Sequence, residues 1–277
     1  MNSKIGIIAG GGQFLLLFAE AAREQGRQVI VVAHEGETNP DIEAVADRLF
    51  WVKLGQLGKI IKHFKSEGVT ETVLVGTITK TRIFRDIMPD LKGLSLWNKI
   101  DARQDDAILR AIAGELEKDG IKVLESTLYL QHLLFPQGNI SKKKPSAEQR
   151  EDISFGWQMA RSVGALDIGQ CVIVRDRTVL AVEAIEGTDA TIKRGGSLGR
   201  ENAVVVKVKK PGQDFRFDLP AIGVTTLDSM QEAKAKVLAV EAGQALLFDR
   251  EAFVKAANRA GIIVVGVEEL ADGKLAM

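Results

Sequence analysis

The chain reads as an α/β protein of two domains, a Rossmann-like N-terminal domain with a parallel sheet and a mixed α/β C-terminal domain. Three observations predict this. Short apolar runs alternate with amphipathic helical segments from Ile5 to Leu124, with connections of a few residues, as in parallel βαβ units. The stretch from Pro136 to Pro145 holds both of those prolines, Gly138 and the cluster Lys142-Lys143-Lys144, the composition of a linker. Beyond it, two apolar runs meet at Asp176-Arg177, a tight turn that joins antiparallel strands. The domains are therefore set at 1–135 and 146–277, with 136–145 between them.

Each element follows from local pattern. Ile5 to Ala9 is a buried strand, Gly10-Gly11-Gly12 a turn, and Gln13 to Glu24 a helix that Gly26 stops. Val29 to Ala33 is a strand, Asp41 to Arg48 a short helix, and Leu49 to Val52 a short strand. Leu57 to Glu67 has helical spacing with Gly68 as its stop, and Thr72 to Val75 is a strand. The helix from Asp105 to Lys118 places Ile108, Leu109, Ile112 and Leu116 on one face, and Gly120 closes it. Ile121 to Leu124 follows as a strand. Ser146 and Gln149 have capping-box spacing and open a helix reaching about Val163. Strands are expected at 170–175, 178–184, 203–209, 237–241, 245–248 and 262–267, and helices at 226–233 and 250–260.

Composition excludes several classes. Thirty-seven basic residues balance 37 acidic ones, so nothing marks a nucleic-acid surface. A single cysteine, Cys171, makes neither an internal disulfide nor a C-x-x-C metal site. Ile5 to Ala9 is too short for a signal-peptide core, and no apolar run reaches the roughly 18 residues of a membrane span. A cytoplasmic protein is expected, with peripheral membrane contact left open.

The most informative stretch is Glu183-Ala-Ile-Glu186-Gly187-Thr188-Asp189, followed by Lys193-Arg194-Gly195-Gly196. It reads as a charged loop after a strand, with acids suited to metal or proton work and bases suited to an anion. A polar hairpin loop is the plain alternative. The glycine turn 10–12, with Gln13 opening the helix, stands where a phosphate-binding loop would, although Leu15 replaces the third glycine of the dinucleotide fingerprint. Thr77, Thr79, Lys80 and Arg82 follow a strand and suit an anion. Asp105 and Asp106 open a helix, where acids also serve as ordinary dipole partners. Asp218 lies between apolar neighbours before Pro220, as a turn cap or a positioned carboxylate, and Glu241 ends a strand. The three histidines show no pairing and no nucleophile elbow is present, so attack by water with acids holding a metal fits best.

The motifs Ile8-Ala-Gly-Gly-Gly-Gln-Phe14, Gly76-Thr-Ile-Thr-Lys80, Asp105-Asp-Ala-Ile-Leu-Arg110, Asp167-Ile-Gly-Gln170, Glu183 to Asp189 and Asp218-Leu-Pro-Ala-Ile-Gly223 stand in one order along the chain. Together they resemble the UDP-2,3-diacylglucosamine pyrophosphatases of the LpxI type, which act in lipid A biosynthesis. The resemblance spans Ile5 to Val267 and departs at Leu15, where proline is expected. It implies hydrolysis of UDP-2,3-diacylglucosamine to UMP and 2,3-diacylglucosamine 1-phosphate (lipid X), with a divalent cation such as Mg²⁺, a ligand held between two domains and a homodimer. It carries Asp218 over as the essential acid, with Glu186 and Asp189 as further catalytic candidates and Asp218 and Asp189 as metal ligands. Gly11, Gly12, Gln13, Thr77, Thr79, Lys80, Asp105, Gln170, Thr188 and Lys207 are the substrate-binding candidates. Two acyl chains need apolar lining, for which Phe14 to Phe18 and Leu128 to Phe135 are candidates, the latter preferred; plain core is the alternative for both. Opening about 136–145 is expected to admit the lipid. A nicotinamide-dependent oxidoreductase and a non-catalytic nucleotide-binding protein are the rival readings; a Tyr-x-x-x-Lys pair is missing, since Leu133 stands four residues after Tyr129.

Overall fold

A computed structural model describes residues 3–79, 87–98, 105–217 and 219–277; of Asp105 and Asp106 only the backbone is described. The chain divides into two compact units, Met1–Gln131 with Asp214–Asp218, and His132–Gln213 with Leu219–Met277.

In the first unit, β1 (Lys4–Ala9), α1 (Gln13–Glu24), β2 (Gln28–His34), β3 (Arg48–Val52), α2 (Leu57–Ser66), β4 (Glu71–Val75), α3 (Leu91–Trp97), α4 (Asp105–Lys118) and β5 (Lys122–Val123) follow one another. The strands form one sheet in the order β3-β2-β1-β4-β5, and every pair is parallel. β1 and β2 are apolar along nearly their whole length because both faces of a parallel sheet are covered. One predicted element differs. Residues 41–48 hold a 3-10 turn, Pro40–Ala44, and Arg48 already belongs to β3. Asn39 accepts from the Asp41 amide at 3.1 Å and so caps a turn too short to become a helix.

The second unit contains β6 (Gly138–Asn139), α5 (Ala147–Ala165), β7 (Cys171–Arg175), β8 (Thr178–Val182), α6 (Thr188–Gly199), β9 (Val204–Lys207), β10 (Ala221–Ile222), α7 (Val224–Glu232), β11 (Val237–Glu241), β12 (Leu246–Leu247), α8 (Arg250–Ala260), β13 (Ile263–Glu269) and β14 (Leu275–Ala276). Its main sheet runs β14-β13-β11-β9-β7-β8, with β6 also on β13. Strand residues alternate between two cores. Ile173, Val205, Leu238 and Val264 meet Ile192, Met230 and Phe253 of α6, α7 and α8. Val172, Val206, Ala239 and Val265 meet Ile153, Trp157 and Ala160 of α5. The period-two pattern thus assigns three helices to one face and one to the other. The predicted hairpin forms with Asp176 and Arg177 both at positive φ, and the buried Asp152 accepts both of their amides, at 3.1 and 2.7 Å. The capping box of Ser146 and Gln149 is present.

Two expectations are corrected here. The stretch 136–145 is not a bare linker but belongs to the second unit: β6 pairs antiparallel with β13, and the Val264 amide donates to Ser141 Oγ at 2.9 Å. The charged run after Glu183 is a loop only as far as Gly187, since Thr188–Gly199 is helical. Threonines and glycines disfavour a helix in isolation, and packing decides it here. Gly195 lies so near β7 that a Cβ there would sit 2.7 Å from Ile173, and Gly196 is in similar contact with Ala233.

Candidate functional site

In the second unit, β8, β9 and β11 end at the same edge of the sheet, because β7 runs against β8 and β9 while β11 runs with β9. Ligand chemistry in open α/β sheets gathers at such carboxyl ends. Glu183 follows β8, Lys207 ends β9, and Thr188 is the first residue of α6. Lys207 is 6% exposed and Glu183 7%. Lys207 Nζ donates to Thr188 Oγ1 at 3.1 Å and to the Ala221 carbonyl at 3.4 Å. Thr188 Oγ1 in turn donates to Glu183 Oε1 at 2.8 Å, and the Gln170 amide reaches Glu183 Oε2 at 3.4 Å. The hydroxyl relays between a buried cation and a buried anion, which makes each tolerable in the interior. Gln170 Oε1 is buried with no hydrogen-bond partner among the described residues.

Gly187 caps α6 with φ 84° and no side-chain cap bond, so the first helical amides face an edge that also holds Lys207. Helix amides and a buried ammonium together favour an anion. Asp189, in the first turn, is exposed. Glu186 has other duties: it pairs with Arg194 at 2.5 Å and accepts from the Ala184 amide and Thr191 Oγ1. Its own amide and the Arg194 guanidinium hold its carboxyl below the usual range. Lys193 pairs with Glu232 at 2.6 Å. The two bases read from sequence as anion ligands are therefore both engaged in ion pairs on α6. Glu241 ends β11, accepts from the Lys209 amide at 2.7 Å, and is raised in pKa mainly by burial. Burial pushes the Cys171 thiol well above the range of a usable nucleophile.

In the first unit the structure brings Gly11, Gly12, Gln13, Thr77 and Thr79 together. Gly11 and Thr77 form an antiparallel bridge, with N–H to O distances of 2.8 and 3.0 Å in the two directions, and Gly10 N donates to Val75 O at 2.8 Å. The first two glycine amides thus tie the turn to the end of β4 and are not available to a ligand. Thr79 donates from its amide and its hydroxyl to Glu37 Oε2, at 3.3 and 3.1 Å. His34, at the end of β2, contacts the Ala9 carbonyl through Nδ1 at 2.9 Å, and burial lowers its pKa. A carbonyl only accepts, so Nδ1 carries the proton.

Lys80, Arg82, Asp101, Arg103, Gln104 and Asp218 lie outside the described residues, as do the side chains of Asp105 and Asp106. Among the described residues no group of three His, Cys, Asp or Glu is placed to hold a metal. Mg²⁺ does not require one, since it commonly takes one or two carboxylates with waters and substrate phosphates. The exposed Asp189 is a donor of that kind. Sequence reasoning left Glu183 out of the site; its place one residue beyond a strand and five before Thr188 was the available signal.

Known proteins share this pattern. Family models described as the LpxI N-terminal domain and the LpxI C-terminal domain match residues 4–133 and 136–265. The UDP-2,3-diacylglucosamine pyrophosphatase LpxI of Caulobacter vibrioides is 35% identical, over 96% of this chain and 98% of its own length. Among solved structures, phosphoribosylglycinamide synthetase from Anaerococcus prevotii aligns over 74% of this chain and 45% of its own, at 9% identity and a TM-score of 0.27, too low to carry an argument. Two family models in the right order over nearly the whole chain, and a full-length relative, establish that this chain belongs to the LpxI family.

Proposed function

We propose that the protein hydrolyses the pyrophosphate bond of UDP-2,3-diacylglucosamine, giving UMP and 2,3-diacylglucosamine 1-phosphate (lipid X), in lipid A biosynthesis. The observation that carries this is the 35% identity to a pyrophosphatase of that name along both full lengths. Site chemistry agrees with it. A pyrophosphate brings negative charge that Lys207 and the α6 amides neutralise, more strongly as substrate excludes water. Thr188 orients the Lys207 ammonium, and Glu183 orients Thr188. Gln170 offers a polar oxygen lacking a partner among the described residues. In the first unit, the amides at the start of α1, the Thr77 and Thr79 hydroxyls, Lys80 and Asp105 are the candidate phosphate and sugar contacts.

Asp218 is the proposed essential acid, with Asp189 as its partner toward a divalent cation, Mg²⁺ by the hardness of the donors. Bound there, the cation would supply Lewis-acid charge to the phosphoryl oxygens. Among the described residues no helix is long and apolar enough to cross a membrane. A cytoplasmic homodimer touching the inner membrane peripherally completes the proposal. The deciding experiment measures UMP release from UDP-2,3-diacylglucosamine by purified protein, with Mg²⁺ or with chelator, beside folded Asp218→Ala. Metal-dependent release that the substitution abolishes is expected, and no release with any divalent metal would overturn the assignment.

A further inference from the structure

Acidic and basic residues balance over the whole chain, so a face rich in cations and poor in acids is a segregation of charge. The second unit has one. A groove of about 880 Å³ runs between α8 and the segment after β6, lined by Lys142, Arg250, Lys255 and Arg259. Glu251 is the one acid among its lining residues, and Lys143 and Lys144 continue it along the chain. All six basic residues are exposed, and none makes an ion pair among the described residues. In the same unit Arg161, Arg175, Arg177, Lys193, Arg194 and Lys210 are all paired with carboxylates.

Local structure builds this face. Phe253 and Ala257 of α8 are buried in the core, which leaves Lys255 and Arg259, one turn apart, on the opposite side. The lysine run is held by its backbone. The Lys142 amide donates to Asn258 Oδ1 at 2.7 Å, Ser141 Oγ donates to the Lys143 carbonyl at 2.8 Å, and Arg150 donates to the Pro145 carbonyl at 3.2 Å. A fixed backbone keeps the three lysines beside α8 while their long side chains stay free to follow a partner. The face also has a defined relation to Lys207. α8 begins three residues after β12, β12 pairs with β10, and the Ala221 carbonyl of β10 accepts from Lys207.

Unpaired like charges repel one another, and a polyanionic partner relieves that cost. The centres of protein interfaces are rich in aromatic side chains and poor in lysine. This face has four lysines, no aromatic lining residue, and only Ile140 and Val254 as apolar lining. Clusters of several Lys and Arg on an amphipathic helix instead match the anionic headgroups of a bilayer. The apolar stretches read from sequence as acyl lining do not supply such a contact, because Leu15, Phe18, Leu130 and Phe135 are buried in the fold. We propose that the α8 face, with Lys142 to Lys144, docks the protein on an anionic bilayer surface. The inference rests on the lipid substrate proposed above and goes beyond it by assigning the surface and its chemistry.

The test is co-sedimentation of the purified protein with phosphatidylcholine vesicles and with vesicles of equimolar phosphatidylcholine and phosphatidylglycerol. Wild type is compared with Lys142→Glu/Arg259→Glu and with Lys255→Gln/Arg259→Gln, so that one variant remains if a thermal melt shows the other unfolded. Binding to the mixed vesicles alone is expected, weakened by added salt. Each cation at an anionic surface strengthens binding about fivefold, so the charge reversal should cost at least about tenfold. Equal binding to both vesicle types, undiminished binding by a folded variant, or no binding by wild type overturns the proposal. Retention on duplex DNA without vesicle binding gives the face to another polyanion and overturns it as well. UMP release from UDP-2,3-diacylglucosamine in detergent micelles should stay within about twofold in both variants, as for exposed substitutions away from a site. A fall there as large as the fall in vesicle binding would make the face part of the reaction machinery and overturn the docking role. Should wild type release no UMP, the reaction reading fails, and the vesicle result alone still decides the docking face.

Discussion

Helices α1 and α6 each have 12 residues and begin at a glycine in nearly the same backbone conformation, φ 96° and ψ 166° at Gly12 against 84° and 169° at Gly187. Neither has a side-chain cap bond. Their surroundings differ. Beside α1 stand a glycine turn bridged to Thr77, threonine hydroxyls and a neutral His34. Below α6 stand the buried Lys207 and Glu183, joined through Thr188. Among the described residues, the same local geometry therefore stands beside backbone amides, hydroxyls and the Glu37 carboxylate in one unit and beside a buried Lys207–Thr188–Glu183 chain in the other. Fixed charge in a dry site is the stronger device for the charge that builds up in a transition state, while backbone amides suffice to hold a ground-state phosphate.

That contrast can be broken most directly at Lys207. Lys207→Met is expected to lower kcat/KM for UDP-2,3-diacylglucosamine by about 10²–10³-fold, against only a few-fold for Thr77→Val. Equal losses in steady-state kinetics would erase the distinction between the two helix ends. A second comparison concerns how the helices are seated. Gly195→Ala should destabilise by about 1–3 kcal/mol through overpacking against Ile173. Gly114→Ala in α4, where an added Cβ meets nothing within 4 Å, should stabilise by about 0.5–1 kcal/mol. Urea unfolding of both variants measures the sign change.

A smaller effect tests whether the two glycine caps are equivalent. An alanine at Gly12 or Gly187 has open space around it, so only the backbone conformation, positive φ with extended ψ, costs free energy, about 1–3 kcal/mol at each. Unfolding midpoints that differ widely between the two would show that one cap carries more than its conformation. The smallest effect is pH-dependent. Burial depresses the pKa of His34, so its neutral form stabilises the fold fully above the unfolded value near 6.5. That stability is lost as pH falls below this value, by the order of 1 kcal/mol per unit at most. Unfolding free energies at pH 7.5 and 5.5 should therefore diverge more in wild type than in His34→Gln.

Much of this was legible beforehand. Most strand and helix runs of the first unit, the Asp176-Arg177 hairpin and the capping box at Ser146 are local patterns that the fold keeps; the helix expected over 41–48 is a 3-10 turn, and the helix Leu91–Trp97 has no counterpart in the sequence reading. Gly11 and Thr77, candidates from separate motifs, are bridged to one another in the fold. Thr188 and Lys207 likewise share a hydrogen bond. Lys193, Arg194 and Glu186 read as ligands because a charged run beside glycines reads as a loop; in the fold Arg194 of α6 pairs back to Glu186, ahead of the helix, and Lys193 pairs with Glu232 on α7. Glu183 was passed over as a site residue because nothing in the residue itself tells a strand-end acid on the surface from one buried under a helix.

The sequence by itself determined the class of fold, the parallel order of the first sheet's elements and the residue types available for phosphate chemistry. These rest on periodicity and turn chemistry, which act over a few residues. Tertiary structure alone decided that 188–199 is a helix, because its glycines gain from close packing only when β7 and Ala233 are present. It also decided that the first glycine amides bind the end of β4, and that β6 completes the second sheet. The return of Phe217 to the first unit was decided at the same level. Each of these depends on groups far apart in the chain, and only packing, which no local pattern encodes, brings them together.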